Sequence, residues 1–136
     1  MDNIQVSEKL ISFLTFLPIF FISITFHEFA HALSAKLLGD TTAKQQGRLT
    51  LNPLKHIDLI GTIIMPIASF ASGLALIGWA KPVPVNRKNF SSPFRDDALV
   101  SIAGPLSNLI LAFIFLLLFR LSGKWNSEYH IQIIKK

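Results

Sequence analysis

The sequence predicts an all-α membrane protein with about three transmembrane helices, and three observations carry that expectation. Hydrophobic residues make up 51% of the 136 residues, and the mean hydropathy of +0.49 exceeds what a small soluble core needs. Charged residues are only 15% of the chain and gather in a few segments, which leaves long stretches able to sit in hydrocarbon. Those stretches, Leu10 to Phe26, Ile57 to Ala80 and Ala98 to Leu121, place spans at roughly 8–38, 57–80 and 97–121.

The first run is expected to remain in the mature chain. Met1 to Lys9 holds Asp2, Glu8 and a single lysine instead of a basic leader, and no small-residue cleavage site precedes His27. Helical character continues to Leu38, with Gly39 as the stop and Pro18 as a kink about two turns before His27. Ala30, Ala32, Ser34 and Ala35 form a small face that lets another helix approach closely.

Residues 27 to 31 read His-Glu-Phe-Ala-His. Two histidines four apart on a helix lie about 40° apart around the axis, so both imidazoles can reach one metal ion. Glu28 points about a quarter-turn away, where it can act as general base on a water at that metal rather than as a ligand. A chance match of this pattern is on the order of one in a few hundred for such a composition. Ionisable groups at bilayer depth cost roughly 2.5–3.5 kcal/mol each, so three together ask for a compensating ion. The bland alternative is a wet, interfacial helix end. Zero cysteines exclude thiolate ligands and disulfides, leaving His, Asp or Glu to hold the metal.

Asp40 to His56 is polar and rich in turn residues and is expected to be a short loop or a hairpin, with Gly47 to Leu51 alternating enough for a short strand before Asn52-Pro53 ends it. Ile57 to Ala80 contains Gly61, Pro66, Gly73 and Gly78. A kinked span is the favoured expectation, and a broken, partly re-entrant segment the alternative. Trp79 and Lys81 suit an interface anchor. Lys81-Pro82-Val83-Pro84-Val85-Asn86 is expected to be extended, because each proline pushes its predecessor out of the helical region. It serves either as a stiff linker or as an edge for a stretched substrate. Asp96 and Asp97 open the third span, which carries Gly104-Pro105-Leu106-Ser107-Asn108 near its middle. The Asn108 carboxamide needs a partner there: water, a substrate backbone, or another helix. The tail Leu121 to Lys136 is too polar and short to span again.

The net charge of +5 reads as a topology signal. No stripe of basic residues interleaved with aromatics is present, so nucleic acid is not expected as a partner. With three spans, the larger basic set (Lys36, Lys44, Arg48, Lys55, Arg120, Lys124, Lys135 and Lys136) would face the cytoplasm, with the histidine end of the first helix.

Four segments in order resemble the site-2 protease family of intramembrane zinc metalloproteases, in its compact prokaryotic form. They are His27 to Ala32, Gly47 to Leu54 running into His56-Ile57-Asp58, Gly78 to Asn86, and Ala103 to Asn108. The family usually has proline where Leu59 and Arg87 stand. The resemblance implies a multi-pass protein of the prokaryotic inner membrane, cleaving membrane protein or peptide substrates in or near the bilayer. His27 and His31 would bind the zinc ion (Zn2+), Glu28 would be catalytic, and Asn108 would bind or position substrate.

The family completes its zinc site with an aspartate in a Leu-Asp-Gly motif on a later helix, and no such motif occurs in residues 1–136. The expectation is therefore one membrane-embedded peptidase core over 1–136, C-terminally incomplete, whose third metal ligand is not present. Asp58, His56, Glu128 and His130 are the available substitutes. Asp58 is best placed, although the resemblance gives it an ordinary position in its own motif. The alternative class is a catalytically incompetent, membrane-embedded substrate-binding protein or a gene fragment.

Overall fold

The structure, a computed structural model, describes residues 3–75 and 77–122. Every regular element among them is helical: α1 (Asn3–Leu37), α2 (Thr42–Gln45), α3 (Met65–Ser72) and α4 (Pro93–Leu121), with single 3-10 turns at Pro53–Lys55 and Arg87–Asn89. At 35 residues α1 is about 52 Å long, and at 29 residues α4 is about 44 Å long. Both are long and apolar enough to cross a membrane. They pack against each other along the small face of α1, where Ala32 and Ala35 are fully buried.

The helix ends follow local chemistry. Past Leu37, Gly39 takes φ +108° and the Asp40 N–H returns to the Ala35 carbonyl, so the chain leaves α1 as the sequence predicts. Pro93 occupies the first turn of α4, where its missing N–H is harmless. The Ser92 N–H donates to the Asp96 carboxylate at 2.9 Å and the Asp96 N–H returns to the Ser92 carbonyl at 2.8 Å. An ion pair between Arg87 and Asp97, 2.6 Å, ties the preceding turn to the same helix start.

The middle segment corrects the kinked span expected over 57–80. A π-helical stretch, Leu59–Ile64, runs into α3, which ends at Ser72 because Gly73 adopts φ +71°. Those 14 helical residues cover about 21 Å, short of a bilayer core of about 30 Å. More telling, the two ends of the segment meet. The Lys81 N–H donates to the His56 carbonyl at 2.9 Å, and the Trp79 N–H to the Gly61 carbonyl at 3.0 Å. Thr62 Oγ1 donates to the Trp79 carbonyl at 2.8 Å. At the far end Phe70 stacks on Phe13 of α1, centroids 4.6 Å apart. The segment thus runs along α1 towards its N-terminal half, turns at Gly73 and comes back.

Of the loop or hairpin expected after the first helix, the structure has the loop, and no strand forms at 47–51. Gly47 has φ +66°, and the Arg48 N–H returns to the Ala43 carbonyl at 2.8 Å, closing a turn. The Arg48 guanidinium folds inward to the Lys81 carbonyl, and the Asn52 side chain caps the turn at Pro53–Lys55. No ladder partner lies beside these residues, so alternation alone does not make a strand. Among the described residues of 74–86 none is helical. The tail from residue 123, read above as non-spanning, lies outside the described residues.

A small packed core closes the C-terminal end of α1. Ala35, Phe90 and Val100 are buried together, with Leu38 and Val85 against them. Beside it, fully buried Asp40 accepts from the Thr42 N–H and hydroxyl, from the Asn86 N–H at 2.7 Å and from Asn89 Nδ2 at 2.7 Å. Burial pushes its carboxyl up, but these hydrogen bonds outweigh burial and hold it below the ordinary carboxylate value. One carboxylate thereby fastens residues 86–89 to the end of α1.

Candidate active site

His27 and His31 sit one turn apart on α1, their rings edge-to-face with centroids 4.7 Å apart. Both Nε2 atoms converge on Gly104 of α4. A Cβ built on that glycine would stand 2.7 Å from His27 Nε2 and nearer still to His31 Nε2. Only glycine lets α4 come this close to both rings, so the backbone at Gly104 forms a cradle against which the two imidazoles pack. The sequence does not announce this close approach at Gly104, because it depends on which helix faces α1.

The second nitrogen of each ring is also engaged. His31 Nδ1 lies 2.6 Å from the Val100 carbonyl, which can only accept, so Nδ1 carries the proton and Nε2 keeps a lone pair. His27 Nδ1 faces Asn108 Nδ2 at 3.2 Å. Asn108 therefore meets another helix, one of the partners anticipated for it, and it also lines a cleft of about 610 Å³ with Ile19, Ile22, Ser23 and Phe115.

Glu28 is 8% exposed. Its Oε2 accepts from the Val83 N–H at 3.0 Å. Pro82 and Pro84 have no N–H, so Val83 carries the one backbone donor of that tripeptide. The proline pair thus presents a single donor to the carboxylate, a contact the sequence reading did not foresee.

These residues suit a metal in part. Two imidazoles whose Nε2 atoms converge on one point of α4 fit zinc, which takes nitrogen ligands in tetrahedral sites. Among the described residues no group of three or more His, Asp or Glu side chains could hold a metal ion. Asp58 is not recruited: its Oδ1 accepts from the Ile60 and Gly61 N–H groups at 3.1 and 2.7 Å, capping the π-helical stretch. His56 is fully buried with Nε2 2.9 Å from the Thr50 carbonyl. Glu128 and His130 lie outside the described residues.

Fold and site together define a class: a helical chain with two apolar, membrane-length helices that carry a histidine pair packed on Gly104 and a buried glutamate held by Val83. Comparison with known proteins agrees with that class. The chain is 53% identical over 107 residues to the candidate zinc metalloprotease YwhC of Bacillus subtilis, covering 79% of this chain and 46% of the relative. It is 35% identical over 96 residues to the candidate zinc metalloprotease Rip2 of Mycolicibacterium smegmatis, covering 70% and 36%. Rip2 of Mycobacterium tuberculosis is 36% identical over 101 residues, 74% of this chain and 38% of that one. The chain spans less than half the length of these relatives. No family profile matches it, and no solved structure does.

Proposed function

We propose that this chain is the histidine-bearing part of an intramembrane zinc metalloendopeptidase of the site-2 protease type, acting on membrane protein or peptide substrates. The observation that carries the reading is the convergence of His27 and His31 Nε2 on the Gly104 cradle, beside a glutamate oriented by Val83. The names of the relatives support zinc and proteolysis.

His27 and His31 would hold the metal, and the third protein ligand comes from outside the described residues. Zinc bound there supplies a Lewis acid that polarises the scissile carbonyl and makes water easier to deprotonate. Glu28 takes the proton of the attacking water and delivers it to the leaving amine. The Val83 hydrogen bond holds Oε2 in place. Peptide bonds are cut in extended form, so the helix-free stretch Pro82 to Val85 is the natural edge for a stretched substrate.

The two apolar, membrane-length helices support a membrane location, and the reading takes the chain as multi-pass in the prokaryotic inner membrane. With the middle segment returning to its starting side, Lys36, Lys44, Arg48, Lys55, Lys81, Arg87, Lys88 and Arg95 fall on one side. Among the described residues, Lys9 and Arg120 fall on the other. The larger set supports a cytoplasmic side for the histidine end.

The test is proteolysis in detergent, with a peptide containing a helix-breaking membrane segment as substrate. Glu28→Gln should lower the rate by about 10²–10⁴-fold, the usual contribution of a general base, while bound zinc is unchanged. Cleavage that persists in Glu28→Gln, or that a zinc chelator leaves untouched, contradicts the assignment.

A further inference from the structure

We infer that Asn108 is a positioning residue for the metal site: its carboxamide oxygen accepts the Nδ1 proton of His27 and so leaves His27 Nε2 free to bind metal. The inference rests on the zinc reading above and specifies how α4 prepares the ligands. It starts from an asymmetry between the two histidines. For His31 the matter is settled by the Val100 carbonyl, which can only accept, so that ring already presents a bare Nε2 to the cradle. For His27 the facing atom is Asn108 Nδ2, a donor, at 3.2 Å. A donor there makes Nδ1 the acceptor and puts the His27 proton on Nε2, inside the cradle, where it blocks coordination.

Asn108 Oδ1, meanwhile, is buried and has no hydrogen-bond partner. A half-turn of the carboxamide exchanges two atoms of nearly equal size without moving the rest of the side chain. Oδ1 then accepts from His27 Nδ1–H, and the two imidazoles become equivalent, each oriented by an acceptor on α4. The acceptors, Val100 and Asn108, stand eight residues apart on α4 with Gly104 midway between them. One helix thus supplies both orienting oxygens and the glycine on which the two rings converge. In either orientation one polar atom of Asn108 remains without a protein partner, at the edge of the cleft it lines with Ile19, Ile22 and Ser23.

The experiment compares the full chain, Asn108→Leu and Asn108→Asp, purified in detergent. Leucine keeps the bulk and removes the acceptor; aspartate keeps an acceptor oxygen. Zinc affinity, measured by competition with a chromophoric chelator, should fall about 10–100-fold in Asn108→Leu, the usual effect of losing a ligand's orienting partner, and stay near wild type in Asn108→Asp. Equal affinity in wild type and Asn108→Leu, or an equal loss in both variants, overturns the inference. A second readout needs no metal: ¹⁵N spectra of the imidazoles, with His27 assigned by a His27→Gln variant. The Nδ1–H form of His27 should be populated in wild type and Asn108→Asp and lost in Asn108→Leu; identical spectra in wild type and Asn108→Leu overturn the inference. Absence of zinc binding by all three proteins would count against the metal reading alone, because the spectra still decide the role of Asn108.

Discussion

The two ends of α1 obey different solvents. Towards its N-terminal half the helix shows Ile11, Leu14 and Ile19, each more than half exposed, to a surface that lipid is proposed to cover. Towards its C-terminal end Ala32, Ala35 and Glu28 are buried, and polar groups are met one by one: Glu28 by Val83, His31 by Val100, His27 by Asn108. Apolar surface needs only hydrocarbon of any shape, whereas buried polar groups need named partners at fixed distances. His27, Glu28 and His31 sit at the end where the chain has folded loops back onto the helix. The difference between the ends shows that α1 serves as an anchor along one half and as a scaffold along the other.

That contrast can be broken most forcefully at Asp40. Asp40→Ala strands the Asn86 N–H, the Thr42 N–H and the Asn89 amide. Each buried polar group left unpaired costs about 1–3 kcal/mol, so a loss of several kcal/mol is expected in a thermal melt followed by circular dichroism. Next is Gly104→Ala. Its Cβ would overlap both imidazoles, which should lower zinc uptake and cost about 1–3 kcal/mol of overpacking; wild-type zinc uptake would show that the cradle is not the site. Acid gives a smaller test. The Asp40 carboxyl is held below its ordinary value of about 3.9, so its contribution is complete above that pH and is lost as pH falls through the folded-state value. The melting temperature should therefore fall more steeply below about pH 4 in wild type than in Asp40→Asn. The smallest effect belongs to the anchor half: Leu14→Ala, at an exposed site, should stay within about 0.5 kcal/mol in detergent.

The anchor half was legible in the sequence, and the scaffold half only partly. Hydropathy marks α1 and α4 because crossing hydrocarbon demands a long apolar run whatever the neighbours are. His27, Glu28 and His31 were legible because helical spacing fixes which side chains share a face. Gly39 announced its turn. The middle segment was not readable to its end: Gly61, Pro66, Gly73 and Gly78 all permit a break, and only the bonds from Lys81 to His56 and from Trp79 to Gly61 reveal that it returns. Gly47 to Leu51 has the alternation of a strand, yet a strand needs a neighbour, and the Arg48 side chain is drawn inward instead. Asp40 as a hub and Val83 as the partner of Glu28 depend on contacts over 46 and 55 positions of the chain, which local pattern does not encode.

The central claim, that His27 and His31 are paired ligands over Gly104, is tested most directly by zinc content. The purified chain is loaded with zinc, washed and measured by atomic spectrometry beside His31→Ala. About one zinc per wild-type chain, with only background zinc in His31→Ala, is the predicted result. Equal zinc in the two proteins, whether high or negligible, would contradict the account.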